Sequence, residues 1–158
     1  MTKKTAKPAR KNPVPDDRRY PARPFVAVGI VIWRSDKVLL IRRSKPPRAG
    51  EWGLPGGMQD LGETIVEAAL REAREETGLE VTPLGIITAL DGITRDAKGN
   101  VEFHYTIIDI AGESLEGEAY ARTDAHEVRW ATLDEVERLC GWPEVARIVR
   151  LSALQRAL

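Results

Sequence analysis

The stretch from Trp52 to Leu79 reads WGLPGGMQDLGETIVEAALREAREETGL, a loop dense in glycine and proline set directly against a segment crowded with carboxylates. Thr64-Ile65-Val66-Glu67 opens that segment as a capping box, in which a Thr hydroxyl and a Glu three residues on satisfy orphan backbone donors. Helix-favouring residues then continue to Gly78, a residue suited to the left-handed turn that ends helices, so the spacing predicts one helix of about 14 residues. With about 100° of rotation per residue and Glu72 at zero, Glu75 falls at about −60° and Glu76 at about +40°. Three carboxylates therefore share one face. Val66, Leu70, Ala73 and Thr77 fall on another and form a stripe for packing on a sheet. Like charges at i and i+4, as in Glu72 and Glu76, destabilise an isolated helix by roughly 0.2–0.5 kcal/mol, and Glu75 adds to the repulsion. Arg71 and Arg74 neutralise part of it, notably Arg71 toward Glu75.

Taken by itself, such a face reads as a solvated charged surface. The preceding loop changes that reading, because Gly53, Gly56 and Gly57 allow backbone carbonyls to turn outward immediately before the acidic helix. Carbonyl and carboxylate oxygens together suit hard divalent ions such as Mg²⁺ or Mn²⁺. A cation held there would bridge phosphate oxygens and stabilise the charge that develops when a phosphoanhydride is cleaved.

Upstream, FVAVGIVIW from Phe25 to Trp33 is nearly all apolar and β-branched, the composition of a strand buried on both faces. Arg34-Ser35-Asp36 breaks it and Val38 to Ile41 resumes, which predicts a hairpin. Residues 44–62 hold too many breakers for any regular element, with Trp52 and Leu54 as anchors of a shaped loop. Downstream, Leu84–Leu90 and Val101–Ile110 read as strands around a polar turn at Asp96–Asn100, and Val128–Ala131 as a shorter one. Thr132-Leu133-Asp134-Glu135 offers a second capping box, and Pro143 starts a last helix carrying Val145, Ile148, Val149, Leu151 and Leu154 at helical spacing. Mixed strands with few helices and no regular βαβ alternation make an α+β class.

At 158 residues, with 42% hydrophobic and 30% charged, the chain fits one soluble domain and excludes wholesale disorder. No apolar run approaches the ~20 residues of a membrane span, and no apolar stretch follows Lys3, Lys4 and Lys7 as a secretory signal would need. Cys140 is the single cysteine, so no internal disulfide is possible and a cytoplasmic setting is the expectation. The net charge is zero but uneven. Residues 1–24 carry eight basic groups against Asp16 and Asp17, a net +6, which leaves −6 on residues 25–158. With five prolines and no apolar periodicity, residues 1–24 read as a flexible basic arm preceding a domain over 25–158. Tyr20 is the single aromatic among its charges, where a nucleic-acid stacking platform requires several, so an arm that solubilises the chain or lies over the acidic body is the better reading.

Gly57, Glu63 and the run Arg71-Glu72-Ala73-Arg74-Glu75-Glu76-Thr77-Gly78-Leu79 closely resemble the box of the Nudix hydrolases, Ala73 standing where a larger aliphatic residue is more usual. The preceding strand and Val128–Glu135 also resemble that family's framework. The resemblance implies an α/β/α sandwich around a mixed sheet and Mg²⁺- or Mn²⁺-dependent hydrolysis of a nucleoside diphosphate linked to another moiety. Carried over by position, Glu72, Glu75 and Glu76 would bind metal with the Gly56 carbonyl as a further ligand, Arg71 would orient them, and Glu63 would support the metal site or the local structure. The base that deprotonates water differs within the family. Glu72 is one candidate; the loop before the last strand offers Glu118, Asp124 and Glu127, of which Glu127 is preferred for its place just ahead of Val128.

For substrate, Arg42, Arg43, Arg48 and Arg95 are candidate phosphate holders, because guanidinium pairs bidentately with phosphate. Trp52 could stack on a base, His104 could line the cleft from the strand face opposite Phe103 and Tyr105, and Tyr105 reads as core. Ile93–Asp96 and Phe103–Asp109 are similar to the ADP-ribose pyrophosphatase-like members, so the expected reaction is ADP-ribose to AMP and ribose 5-phosphate. A nucleoside triphosphate pyrophosphatase is the rival enzyme, and a non-catalytic nucleotide-sensing module the rival from another class. The expected partner is a small nucleotide rather than nucleic acid or membrane. A homodimer is also entertained, with the apolar strand at 25–33 contributing to its interface.

Overall fold

The structure is a computed structural model and describes residues 17–158. The predicted hairpin forms from β1 (Phe25–Arg34) and β2 (Lys37–Arg43), but only Trp33 with Val38 and Arg34 with Lys37 pair across it. Beyond that point β2 leaves β1 and pairs with β3 (Trp52–Gly53) and β7 (Ala125–Ala131). The edge of β1 so freed still carries backbone donors and acceptors that must be paired. Pairing comes from β4 (Gly56–Met58), which runs antiparallel from Ala27 opposite Met58 to Gly29 opposite Gly56. Residues 44–62, expected to hold no regular element, thus contribute two strand fragments. Gly56 is required there, since a side chain would run into the Val28 carbonyl.

On its other edge β1 pairs parallel with β6 (Val101–Glu113), outside which lies antiparallel β5 (Thr82–Arg95). The sheet is mixed, in the order β3-β2-β1-β6-β5. Among the described residues three helices complete the elements: α1 (Ile65–Thr77), α2 (Leu133–Leu139) and α3 (Pro143–Arg156). Alternation along β1 sends Val28, Ile30 and Ile32 toward α1, and Val31 and Trp33 toward α2 and α3. This is an α/β/α sandwich, and the apolar run at 25–33 is its central strand. Residues 28–33 are buried in the core and cannot also form a subunit interface.

Both capping boxes form, Thr64 with Glu67 and Thr132 with Glu135, and α1 ends at Gly78 in the left-handed conformation. The buried face of α1 differs from the predicted stripe. Ala68, Ala69 and Ala73 meet the sheet together with Glu76 and Thr77, while Val66 and Leu70 flank them half-buried. Small side chains let the helix backbone close onto β1, a geometric preference that hydrophobicity alone does not rank.

Of the predicted arm, residues 1–16 lie outside the described residues. Residues 17–24 run beside β6: the Tyr20 N–H donates to the Glu102 carbonyl at 2.8 Å, Arg19 pairs with the Glu102 carboxylate, and the Tyr20 hydroxyl donates to Asp96 at 3.0 Å. Among the described residues no helix is long and apolar enough to cross a membrane.

Candidate active site

The packing that buries the alanine face of α1 also draws part of its acidic face inward. Glu76 is only 4% exposed, and its carboxylate accepts a hydrogen bond from the Gly56 N–H at 3.0 Å. Burial pushes its pKa up to about 8 against the pull of that bond, with Glu72 and Asp124 adding like charge. Glu72 is raised as well, mainly by burial and despite Arg71. Its carboxylate occupies the space a side chain at Gly57 would take, so the two neighbouring glycines serve different ends. Gly56 admits the backbone of β1, and Gly57 admits a carboxylate.

Arg71 ties the acidic residues together. It donates to Glu63 at 2.5 and 3.0 Å, to Glu72 at 2.9 Å, to Glu75 at 3.2 Å and to the Met58 carbonyl at 3.0 Å. Glu63 in turn accepts from the Asp60 N–H at 2.9 Å, and its bond to Arg71, followed by that backbone bond, holds its pKa below the usual carboxylate range. Glu63 thus braces Arg71 and the loop. Glu75 is exposed, and the contact found for it on this face is with Arg71.

A pocket opens between α1 and the loops, lined by Glu72, Glu76, Asp124, Asp60, Arg43, Lys45 and Gly56–Met58. Among the described residues no three acidic, His or Cys side chains converge into a ready-made metal cage. Glu72 and Glu76 nonetheless fit a hard cation. Glu76 is buried and Glu72 half-buried beside it, desolvation disfavours the ionised form of each, and Mg²⁺ is usually held by one or two carboxylates together with waters and substrate phosphates.

Among the loop acids, Asp124 lines this pocket, 2.7 Å from the Lys45 ammonium, and its charge reaches both Glu72 and Glu76. Glu127, the preferred candidate from sequence, lies within β7, exposed, and pairs with Arg42 at 3.0 Å. Two residues of strand, Ala125 and His126, separate the two, and Glu127 falls on the outer surface. Glu118 is exposed in the preceding loop and lines neither pocket described here. Strand alternation likewise divides the arginine pair. Arg42 faces out, whereas Arg43 turns in, is partly desolvated so that its pKa falls, and donates to the Pro47 carbonyl at 3.0 Å.

A second cavity of about 240 Å³ lies on the α3 side of the sheet and meets the carboxylate pocket at Gly56–Met58 and Arg43. Trp52, Leu54, Ile107, Val145 and Ile148 make it largely apolar. Trp142 adds a ring carrying the Arg48 guanidinium 4.6 Å from its centroid. Tyr105 is buried as expected, stacked with Phe103, and also borders the cavity. His104 and Arg95 do not line it. His104 sits across from Ile93 on the other strand face, and Arg95 donates to the Gly99 carbonyl in the β5–β6 turn. Lys45, Trp142 and Asp109 were missed from sequence. Trp142 was legible only as the residue before a helix start, and Asp109 as a lone acid in an apolar strand.

A family profile describing the NUDIX domain matches residues 23–151, and the chain belongs to the Nudix family. An ADP-ribose pyrophosphatase of Methanocaldococcus jannaschii is 37% identical over 116 residues, 73% of this chain; the chain spans 66% of that relative's length. The crystal structure of a MutT NUDIX hydrolase from Burkholderia pseudomallei is 27% identical, with a TM-score of 0.70 over 82% of this chain and 98% of that one. The NUDIX domain of Shewanella oneidensis NrtR, solved with ADP ribose, shares the fold at 22% identity and a TM-score of 0.68, over 86% of this chain and 90% of that one.

Proposed function

We propose that this chain is a divalent-metal-dependent pyrophosphohydrolase that cleaves ADP-ribose into AMP and ribose 5-phosphate, or a closely similar nucleoside diphosphate sugar into its nucleoside monophosphate and sugar phosphate. The observation that carries the reading is the junction at Gly56–Met58, where a pocket lined by carboxylates, Glu76 buried among them, meets a largely apolar cavity with Arg43 common to both. A pyrophosphate bound at that junction would have its charge met on one side and its nucleoside in the cavity on the other. The likeness to the archaeal ADP-ribose pyrophosphatase supports this choice of substrate.

Glu72 and Glu76 would hold the Mg²⁺ or Mn²⁺ ion, with the Gly56 carbonyl as a further ligand and Glu75 joining from the exposed side. When bound, the ion neutralises phosphate oxygens and makes a water easier to deprotonate. Arg71 fixes the orientation of Glu72 and offsets the repulsion within the helix. Arg43 holds the pyrophosphate by its fork of donors. Asp124, with Glu72 as the alternative, takes the proton as the water oxygen attacks phosphorus. The new O–P bond forms as the bridging P–O bond breaks, leaving two phosphate monoesters. Lys45, 2.7 Å from Asp124, fixes the position of that carboxylate in the pocket. A cytoplasmic setting and a homodimer belong to the same proposal, the exposed apolar side chains Leu84, Ile86 and Ile93 of edge strand β5 being the surface suited to self-association.

The test is a parallel Mg²⁺ and Mn²⁺ assay of ADP-ribose, other nucleoside diphosphate sugars and nucleoside triphosphates, with products identified chromatographically and Glu76→Gln as control. AMP and ribose 5-phosphate from ADP-ribose, lost in the variant, is the expected result. Pyrophosphate from triphosphates alone would move the chain to nucleotide-pool cleaning, and tight nucleotide binding without turnover would make it a sensor.

A further inference from the structure

One buried ionisable group has no part in the chemistry above. Asp109 lies on β6 in parallel register with Gly29 of β1, and its carboxyl fills the space that a side chain at Gly29 would need. It is 2% exposed, yet it borders the apolar cavity beside Gly29 and Ile107. Its Oδ2 has no hydrogen-bond partner among the described residues. Arg147 and Glu144 of α3 act on it only through their fields, and in opposite senses. An unpartnered buried polar group costs roughly 1–3 kcal/mol, and structures rarely retain one without a use. Burial raises its pKa to about 7, so near neutral pH the group accepts a hydrogen bond in either protonation state.

We propose that Asp109 is the specificity-determining residue of a nucleobase subsite in this cavity, its carboxyl accepting a hydrogen bond from the exocyclic amine of an aminopurine. The inference rests on the reading of the junction as a nucleotide site. Arg48, Glu51 and Asp91 also reach this cavity, but its walls are mainly apolar and aromatic and favour a flat heterocycle over the terminal sugar. The connection at Gly56–Met58 and Arg43 lets one ligand place its base beside Asp109 and its phosphates beside the carboxylates. A site built around a buried acceptor rejects a ligand lacking the donor, because the acceptor then stays unpaired.

The experiment is equilibrium binding to the full chain, read by tryptophan fluorescence and calorimetry. It compares AMP with purine riboside 5′-monophosphate, the same nucleotide with hydrogen in place of the amine. Wild type should bind AMP about tenfold tighter. Asp109→Ala should bring the ratio to within about twofold, while Asp109→Asn, which keeps a carbonyl acceptor, should preserve most of it. A general packing defect would weaken both nucleotides alike and leave the ratio unchanged. The proposal is overturned if wild type binds the two equally or binds AMP immeasurably, or if folded Asp109→Ala keeps the full preference. Should the AMP preference depend on Asp109 while ADP-ribose is not cleaved, the proposed reaction fails and this subsite stands. ADP-ribose cleavage with a preference indifferent to Asp109 sinks the subsite alone.

Discussion

Replacing Glu76 by Gln should remove a pH-dependent strain from the metal-free protein. In the unfolded chain this carboxyl titrates at 4.5, and in the folded chain burial holds it protonated up to about 8. As pH rises through that window, unfolded molecules release a proton that folded ones retain, so stability present at acid pH is lost. A gap of that width sets a ceiling of about 5 kcal/mol, and relaxation around the carboxylate should reduce the measured loss to roughly 2–3 kcal/mol. Gln keeps an oxygen to accept the Gly56 N–H but has no proton to lose. In excess EDTA, thermal unfolding at pH 5.5 and 8.5 should therefore show the wild type falling by roughly 4–12 °C more than Glu76→Gln, at about 2–4 °C per kcal/mol for a domain of this size. Saturating Mg²⁺ at the higher pH should restore the wild type and leave the variant nearly unmoved, since a cation that binds only the folded state stabilises it by mass action. Parallel pH profiles for the two proteins would refute the buried-carboxylate account of this site.

Three further outcomes test the geometry with ADP-ribose as substrate. Arg43→Ala should raise KM by tenfold or more through loss of a desolvated phosphate contact, whereas Arg42→Ala, which breaks the exposed pair with Glu127 and an exposed bond to the Gly50 carbonyl, should shift stability by less than about 1 kcal/mol and leave KM within about twofold. Gly57→Ala should lower kcat by roughly 10–100-fold with little change in melting temperature, because the added methyl displaces the Glu72 carboxylate; unchanged kcat would remove Glu72 from the chemistry. Asp124→Asn should cost about 10²–10⁴-fold in kcat and Glu127→Gln about twofold or less, and the reverse order would return the base to β7.

Much of this protein is local and was legible for that reason. The two capping boxes, the Gly78 stop and the strand–turn–strand at 25–41 depend on residues within a few positions of one another, and the structure forms each of them. The arc of Glu72, Glu75 and Glu76 followed from helical rotation alone, and the spacing from Gly57 to Leu79 identified the family. Side-chain facing across the sheet was not legible, because a continuous apolar run such as Phe25–Trp33 shows no alternation. Which of Glu72, Glu75 and Glu76 is buried depends on how closely the alanine face approaches β1. That approach leaves Glu76 inside and Glu75 in solvent. That Asp124 and Arg43 line the pocket while Glu127 and Arg42 face outward turns on where β7 starts and on the parity of β2, each a matter of one strand's register against another. The cavity holding Asp109 and Trp142 joins residues 33 positions apart, brought together by the packing of α3 on the sheet. Local hydrogen bonds and rotation angles are written in consecutive residues, whereas burial, register and the meeting of two pockets arise only when distant segments compete for the same space.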